Sequence, residues 1–373
     1  MAPTQEVLYD EIDLDLSWSE HELPEHERTR HVHRLHPYLG KFIPQLVEVL
    51  LERYVPPGGR VLDPFAGSGT TLVQSLESDR DATGADIAAF NALLMRVKTT
   101  RYNLAALERD VAEASSRLGD LDARRVAGAS PYLRRWYAPR ALAELLAFRS
   151  NIGEYEHRDV LRVVLARAAR SARRTTHFDL DFPRDPQRGP YWCHKHKREC
   201  RPIDRAAHFL RRYALDTVAR IHAFSRARAD GRSASVLHGD ARELELGGPY
   251  DGIVTSPPYP GLIDYHEQHR YAYELLGLDD LGSLELGKGS TKSAIAEYVD
   301  GIARVLERSA ERLRAGAYVV VVVNDRRELY SDVLERAGLQ LDHRLRRHVN
   351  RRTGRRAGEY FEDVLVARKL SHT

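Results

Sequence analysis

Residues 60–71 read RVLDPFAGSGTT: a short apolar run closed by an acid, a turn carrying two glycines, and a threonine pair that opens the apolar-periodic stretch TTLVQSLESD. Few patterns restrict a fold more. Arg60-Val61-Leu62-Asp63 predicts a short buried strand. The glycines let the backbone turn tightly and approach a ligand, and the following helix aims its unpaired N–H groups at the same place. DATGADI (81–87) predicts a second strand and AAFNALLMRVK (88–98) a second helix. Strand, helix, strand, helix at this spacing implies a parallel sheet with crossover helices. Just upstream, PQLVEVLLERY (44–54) repeats apolar residues at helical spacing, and Pro56-Pro57-Gly58-Gly59 stops that helix.

The rhythm breaks over 101–232, which is rich in Ala, Leu and Arg at helical spacing, with a loop-like interruption at 175–204. It resumes with SASVLHGDA (233–241) as strand and turn and YDGIVTSPPY (250–259) as a strand entering a Pro-Pro loop. A long helix over about 293–314, a fully apolar strand AGAYVVVVVN (315–324), a helix at 328–339 and two strands around a basic loop complete the chain. Four segments follow: an acidic arm (1–30) whose Val7, Leu8, Ile12, Leu14 and Trp18 can dock on the body, a first half of the main domain (31–100), a mostly helical insertion (101–232) and a second half (233–373).

With 42% hydrophobic and 30% charged residues the chain has the material for a core, which excludes wholesale disorder. No stretch approaches the ~20 apolar residues of a membrane helix, no basic-then-apolar leader opens the chain, and two cysteines build no disulfide scaffold. The expectation is a cytoplasmic enzyme that does not engage a membrane. The net charge of +3 conceals an asymmetry. Residues 1–30 hold nine acids against two bases, whereas residues 155–232 hold nineteen Lys and Arg against nine Asp and Glu. A basic segment of this kind suits a polyanionic partner.

Ligands of doubly wound sheets sit at the carboxyl ends of strands. The turn from Asp63 through Pro64, Phe65, Ala66, Gly67 and Gly69 to Thr70 therefore predicts a cofactor site, and Asp86, with Ile87 beside it, places a carboxylate where a ribose would present its hydroxyls. The turn has no third glycine in dinucleotide register and no P-loop lysine, so NAD and ATP lose support. At the second turn, Ser256-Pro257-Pro258-Tyr259, two prolines end strand pairing and stiffen the loop. Its carbonyls and the Ser256 hydroxyl can hold an exocyclic amino group and aim its lone pair at an incoming methyl carbon, while Tyr259 offers a flat face to an extruded base. The absence of a Pro-Cys loop excludes C5-cytosine chemistry, which needs a thiolate nucleophile.

The string DPFAGSGTT resembles the S-adenosylmethionine loop of the DNA amino-methyltransferases, and Ser-Pro-Pro-Tyr resembles their catalytic loop. The resemblance covers residues 31–100 and 233–368. It implies a Rossmann-like class I S-adenosylmethionine-dependent methyltransferase sheet and methylation of an amino group in double-stranded DNA after base flipping. Serine in the first position of the loop points to cytosine N4; adenine N6, and guanine N2 or adenine N6 of RNA, remain alternatives, as does a catalytically silent DNA-binding protein. By the same resemblance Tyr38 and Lys41, with Phe42, would pack on the methionine end of the cofactor, and Asp240-Ala241 would meet its adenine. Asp264-Tyr265 would line the base pocket. Bacterial or archaeal restriction–modification, with a cognate restriction endonuclease as partner, is the implied setting. The insertion lies before the Gly-Asp-Ala strand rather than directly before the catalytic loop, so its identification as the recognition region is an inference.

DNA contacts are expected from two patches. One is Trp192, Lys195, Lys197 and Arg198 in the insertion, where bases and an aromatic mix. The other is the terminal basic loop, where Arg346, Arg347, Arg351, Arg352 and Arg355 belong to a run of seven arginines in thirteen residues (344–356). Cys193, His194, His196 and Cys200 raise the question of zinc. Their spacing departs from a paired C-x2-C framework and consecutive residues seldom reach one tetrahedral ion, so no metal site is assigned.

Overall fold

The computed structural model describes residues 13, 16–18, 21–38, 42–117, 123–177, 183–260, 264–349 and 360–369. Its main sheet uses strands β1 (Arg60–Asp63), β2 (Asp81–Asp86), β5 (Ala234–His238), β6 (Tyr250–Thr255), β7 (Leu313–Val323), β8 (Leu339–Val349) and β9 (Tyr360–Lys369). A separate two-stranded hairpin, β3 (Tyr191–Cys193) and β4 (Arg198–Cys200), lies in the stretch expected to be loop. The seven strands run in the order β5-β2-β1-β6-β7-β9-β8. β5, β2, β1, β6 and β7 are parallel to their neighbours, and β9 enters antiparallel between β7 and β8. This is the doubly wound sheet with a terminal hairpin that the sequence predicts. From β1 the chain builds outward to β2 and β5, then returns to place β6 on the other flank of β1. The strand order therefore reverses between β1 and β6, and a crevice opens where the loops leaving them diverge.

β7 shows how the sequence makes the layers. Its run of valines suits a strand buried on both faces. Alternation sends Val319, Val321 and Val323 into one core cluster and Val320 and Val322 into another. The second cluster takes Leu46, Val47, Leu50 and Leu51 of α1 (Pro44–Tyr54). α2 (Thr70–Glu77) and α3 (Ala89–Thr99) follow β1 and β2. The insertion contributes α4 (Leu104–Ser116), α5 (Pro139–Asn151), α6 (Arg158–Ala172) and α7 (Ala207–Ala227). Their apolar faces join Phe90, Leu93, Leu94 and Val97 of α3 in one cluster. The segment interrupts the sheet in sequence, but it shares the core of the cofactor half rather than forming its own. After β6 come α8 (Arg270–Leu276), α9 (Lys292–Glu311) and α10 (Tyr330–Arg336).

Part of the acidic arm lies along β8. The Asp13 N–H donates to the Arg346 carbonyl (2.8 Å), the His348 N–H donates to the Ser17 hydroxyl (3.1 Å), and Leu16 is fully buried. Trp18 packs there as expected. Val7, Leu8, Ile12 and Leu14 lie outside the described residues. Among the described residues no helix is long and apolar enough to cross a membrane.

Candidate active site

The loop after β1 is shaped by its glycines. Gly67 (φ 51°) and Gly69 (φ 80°) occupy the left-handed region. A Cβ on Gly69 would lie 2.8 Å from Met95 Cγ, and one on Gly67 would lie 3.2 Å from the Tyr38 hydroxyl oxygen. The first glycine lets the loop turn inward and the second lets it lie on α3. The Lys98 ammonium, buried beneath, donates to the Ser68 carbonyl (2.5 Å), and the Gly67 N–H donates to Asp86 Oδ2 (2.8 Å).

Because β1 and β6 are neighbours, the two turns singled out in the sequence leave adjacent strand ends. The Thr255 hydroxyl, one residue before Ser256, donates to Asp63 Oδ1 (2.6 Å), and the Thr71 hydroxyl donates to the Val254 carbonyl (3.3 Å). The two turns form the walls of one cleft, which encloses about 820 Å³ counting its open mouth. Tyr38, Pro64, Phe65, Ala66, Gly67, Thr70, Asp86, Ile87, Asp240, Ala241, Ser256 and Pro258 line it as the sequence anticipated, together with Phe42 and Tyr265.

Several expected residues stand elsewhere. Asp63 is buried under the loop and Gly69 backs onto Met95, so both shape the cleft from behind. Pro257 and Tyr259 are not among the lining residues. The Tyr259 ring is partly buried against the core cluster that includes α9, and its hydroxyl donates to Glu362 Oε1 (3.3 Å). Lys41 lies outside the described residues. Asp240 lines the cleft with its carboxylate gripped by the Arg242 guanidinium (2.6–2.9 Å), which lowers its pKa against the cost of burial.

The sequence reading missed Ser68, Ala88, Asn91, Gly239, Leu284, Glu285, Leu286 and Val305. Asn91 Nδ2 donates both to Asp86 Oδ1 (3.0 Å) and to the Tyr38 hydroxyl (3.1 Å), so one amide fixes two walls. Its position one turn into α3, directly after Asp86, was the available signal. Tyr38 stacks on Tyr265 (centroids 5.4 Å apart, 12° between planes) and on His269 (5.7 Å, 14°). Burial pushes the His269 pKa down to about 3, so this ring is a neutral plate at ordinary pH.

The electrostatics of the cleft are one-sided. Asp86, Asp240 and Glu285 reach its surface, and among the described residues no lysine or arginine lines it. Arg242 holds Asp240, and His266 and Lys288 hold Glu285 (2.9 and 3.5 Å). Among the described residues Asp86 is stabilised by the Gly67 and Ala88 N–H groups and the Asn91 amide, and burial raises its pKa. Among the described residues such a cleft offers a phosphate no cationic side chain, and it suits a ligand carrying positive charge, hydroxyls and amino groups.

Burial pushes the Asp63 carboxyl up to about 6, against roughly 3.9 in an unfolded chain. Between these values the unfolded state ionises first, so folding stability falls as pH rises through that window, by about 3 kcal/mol in all. Asp63→Asn keeps an acceptor for Thr255 and removes the ionisation. Denaturant titrations from about pH 4 to about pH 7.5 are expected to show the variant gaining on the wild type as pH rises; parallel pH profiles would contradict the assignment.

The expected DNA-contact residues divide. Trp192 is 60% exposed, and Lys195, Lys197 and Arg198 are exposed on the β3–β4 hairpin. Arg346 is exposed, with its guanidinium over the Phe361 ring (4.7 Å). Arg347 is a correction: it is 4% exposed, turned inward between Glu362 (3.6 Å) and the Trp18 ring (6.0 Å). Arg351, Arg352 and Arg355 lie outside the described residues.

Comparison with known proteins adds to this geometry. Residues 8–92 match a family described as DNA methylase. The Type II methyltransferase M.MjaII of Methanocaldococcus jannaschii is 36% identical, the match covering 96% of this chain and 84% of that protein. The Type II methyltransferase M.MvaI of Kocuria varians is 33% identical over 84 residues, 22% of this chain and 18% of that protein. Among solved structures, TrmN from Thermus thermophilus is similar with a TM-score of 0.36 at 14% identity, covering 89% of this chain and 50% of that one.

Proposed function

The chain belongs to the DNA amino-methyltransferase family, and we propose that it methylates cytosine N4 in double-stranded DNA with S-adenosylmethionine as donor. The observation that carries this reading is the single cleft walled by the glycine loop on one side and Ser256 and Pro258 on the other, with carboxylates and no cationic side chain on its described surface. When bound, the donor supplies a methyl group on a positively charged sulfur. Gly67 and Ser68 form the cradle for it, Asp86 supplies negative charge and hydroxyl acceptors, and Phe65 and Ile87 give apolar walls. Tyr38 and Phe42 close the methionine end.

The acceptor side follows from the chemistry of the loop. An exocyclic amino group has two N–H donors and a lone pair delocalised into its ring. Proline has no N–H, so Ser256-Pro257-Pro258 presents carbonyls and one hydroxyl without competing main-chain donors at two successive positions. Acceptors fixed there hold both N–H bonds and direct the lone pair toward the methyl carbon. The nitrogen–carbon bond forms as the sulfur–carbon bond breaks, its electron pair staying on sulfur, and the amino group releases one proton to solvent. This is catalysis by positioning and fixed dipoles, with no covalent enzyme intermediate. Serine at the head of the loop favours cytosine N4 over adenine N6 by family resemblance. Tyr265, stacked on Tyr38 at the cleft, replaces Tyr259 as the surface against which the extruded base rests.

On this reading the hairpin residues Lys195, Lys197 and Arg198 contact phosphates. Replacing all three by alanine is expected to flatten the dependence of log Kd on log salt by about 2–3, close to 0.9 per lost phosphate contact. Equilibrium binding to one duplex at several salt concentrations reads the slope; an unchanged slope removes these residues from the interface. The naming of two relatives as Type II enzymes supports a restriction–modification role with a cognate endonuclease. The test of the whole reading is expression in a host free of DNA methylation, followed by sequencing that separates N4-methylcytosine from N6-methyladenine. One short motif carrying N4-methylcytosine is expected. N6-methyladenine in the motif would overturn the base assignment, and methyl uptake by RNA alone would overturn the DNA assignment.

A further inference from the structure

We propose that His177, Cys193, His196 and Cys200 form a closed tetrahedral zinc site that staples the β3–β4 hairpin to the segment leaving α6. One ligand atom from each of the four lies within 4.8 Å of the others. Cys193 Sγ is 3.4 Å from His177 Nδ1, and His196 Nδ1 is 3.4 Å from Cys200 Sγ. In a tetrahedron with Zn–S near 2.3 Å and Zn–N near 2.05 Å, each sulfur–nitrogen edge is about 3.5 Å. Two of the sulfur–nitrogen gaps are already those a zinc ion would set, and the Tyr191 hydroxyl, 2.8 Å from His177 Nδ1, would give up that nitrogen to the metal. His194 is not a member of the group; its place is taken by His177, sixteen residues before Cys193.

The hairpin needs such a staple. Each strand is three residues long, and the pair forms a sheet of its own. A two-stranded hairpin is marginal in water unless something else holds it. Its large apolar side chain, Trp192, is exposed, while the side chains it buries are the two thiols, Cys193 (4% exposed) and Cys200 (8%). Register places them on the same ladder, with Cys193 opposite Arg198 and Cys200 opposite Tyr191. The Tyr191 hydroxyl accepts from the His177 N–H (3.2 Å) and so ties the incoming segment to β3.

The donor set selects the metal. Two thiolates and two imidazoles are the soft and borderline ligands of structural zinc, and calcium or magnesium would require oxygen donors. Binding releases the two thiol protons to solvent, and the dication then balances the two thiolates. The other two His and carboxylate clusters among the described residues are already occupied by ion pairs: Arg30 reaches Glu77, and Lys288 reaches both Asp264 and Glu285. The staple holds Trp192 and the three bases in a fixed array, which is what an interface with DNA would require of them.

The test is metal analysis of the full-length protein, purified under reducing conditions without chelator. One zinc per chain is expected, and none in Cys193→Ser/Cys200→Ser. Cobalt substitution gives a second readout that does not depend on a variant: a thiolate-to-cobalt charge-transfer band with tetrahedral ligand-field bands is expected in the wild type. His196→Ala, which leaves three ligands, is expected to weaken zinc retention at least about 10-fold in competition with a chelator. A wild-type protein without metal, a Cys193–Cys200 disulfide in its place, or zinc content unchanged in the double serine variant would each overturn the site.

Discussion

Ser256→Ala is expected to lower the rate of methyl transfer by about 10²–10³-fold, the scale of losing one fixed polar group at a reacting centre, with cofactor affinity unchanged. Ser256 lines the cleft and is only half-buried, so the substitution leaves no cavity in the core. The loop keeps its shape because its anchors are elsewhere: Thr255 on Asp63, Thr71 on the Val254 carbonyl, and the two prolines. What is lost is one acceptor for the amino group, and with it the alignment of the lone pair. Single-turnover rates on a duplex, beside cofactor titration, separate the two effects. Wild-type turnover in the variant would remove Ser256 from catalysis, and a parallel loss of cofactor binding would show that it had supported the loop instead.

Gly69→Val is expected to cost about 2–5 kcal/mol of stability and to abolish cofactor binding at ordinary concentrations. A β-branched residue at φ 80° sits where L side chains pay about 1–2 kcal/mol. Its Cβ would also lie 2.8 Å from Met95 Cγ, in a core that resists added volume by about 1–3 kcal/mol. The loop can relieve the clash only by lifting from α3, which moves Gly67 and Ser68 into the cleft. Gly153 is a matched control, since a Cβ there meets nothing within 4 Å. Thermal unfolding and cofactor titration of both variants check the prediction; it is falsified if Gly69→Val behaves like Gly153→Val.

The two turns were legible in the sequence because each is a contiguous motif whose residue types have one use. Their convergence rests on the sheet order, which sets β1 and β6 side by side. What escaped the reading depends on contacts made at long range. Glu285 and Leu286 come from a stretch with no motif, and His177 joins the two cysteines only because the hairpin folds back on the segment after α6. Arg347 failed for a different reason. In a run of arginines every side chain looks available, but β8 alternates, and Leu345, Arg347 and Val349 share the face opposite to Arg346. The pairing of β8 with Glu362 and Trp18 then buried one guanidinium among its exposed neighbours. The period-2 pattern could have shown this, had the strand been extended to residue 349.

Asp86 stands in the cleft with main-chain and amide hydrogen bonds but no cation against it. On the proposed function, a donor with a positively charged sulfur enters a cleft lined by carboxylates; once the methyl group has left, the sulfur is neutral and that part of the attraction is lost. A replacement that set a permanent cation beside Asp86 would, on that reading, fill the place of the donor's charge and weaken the hold on the donor.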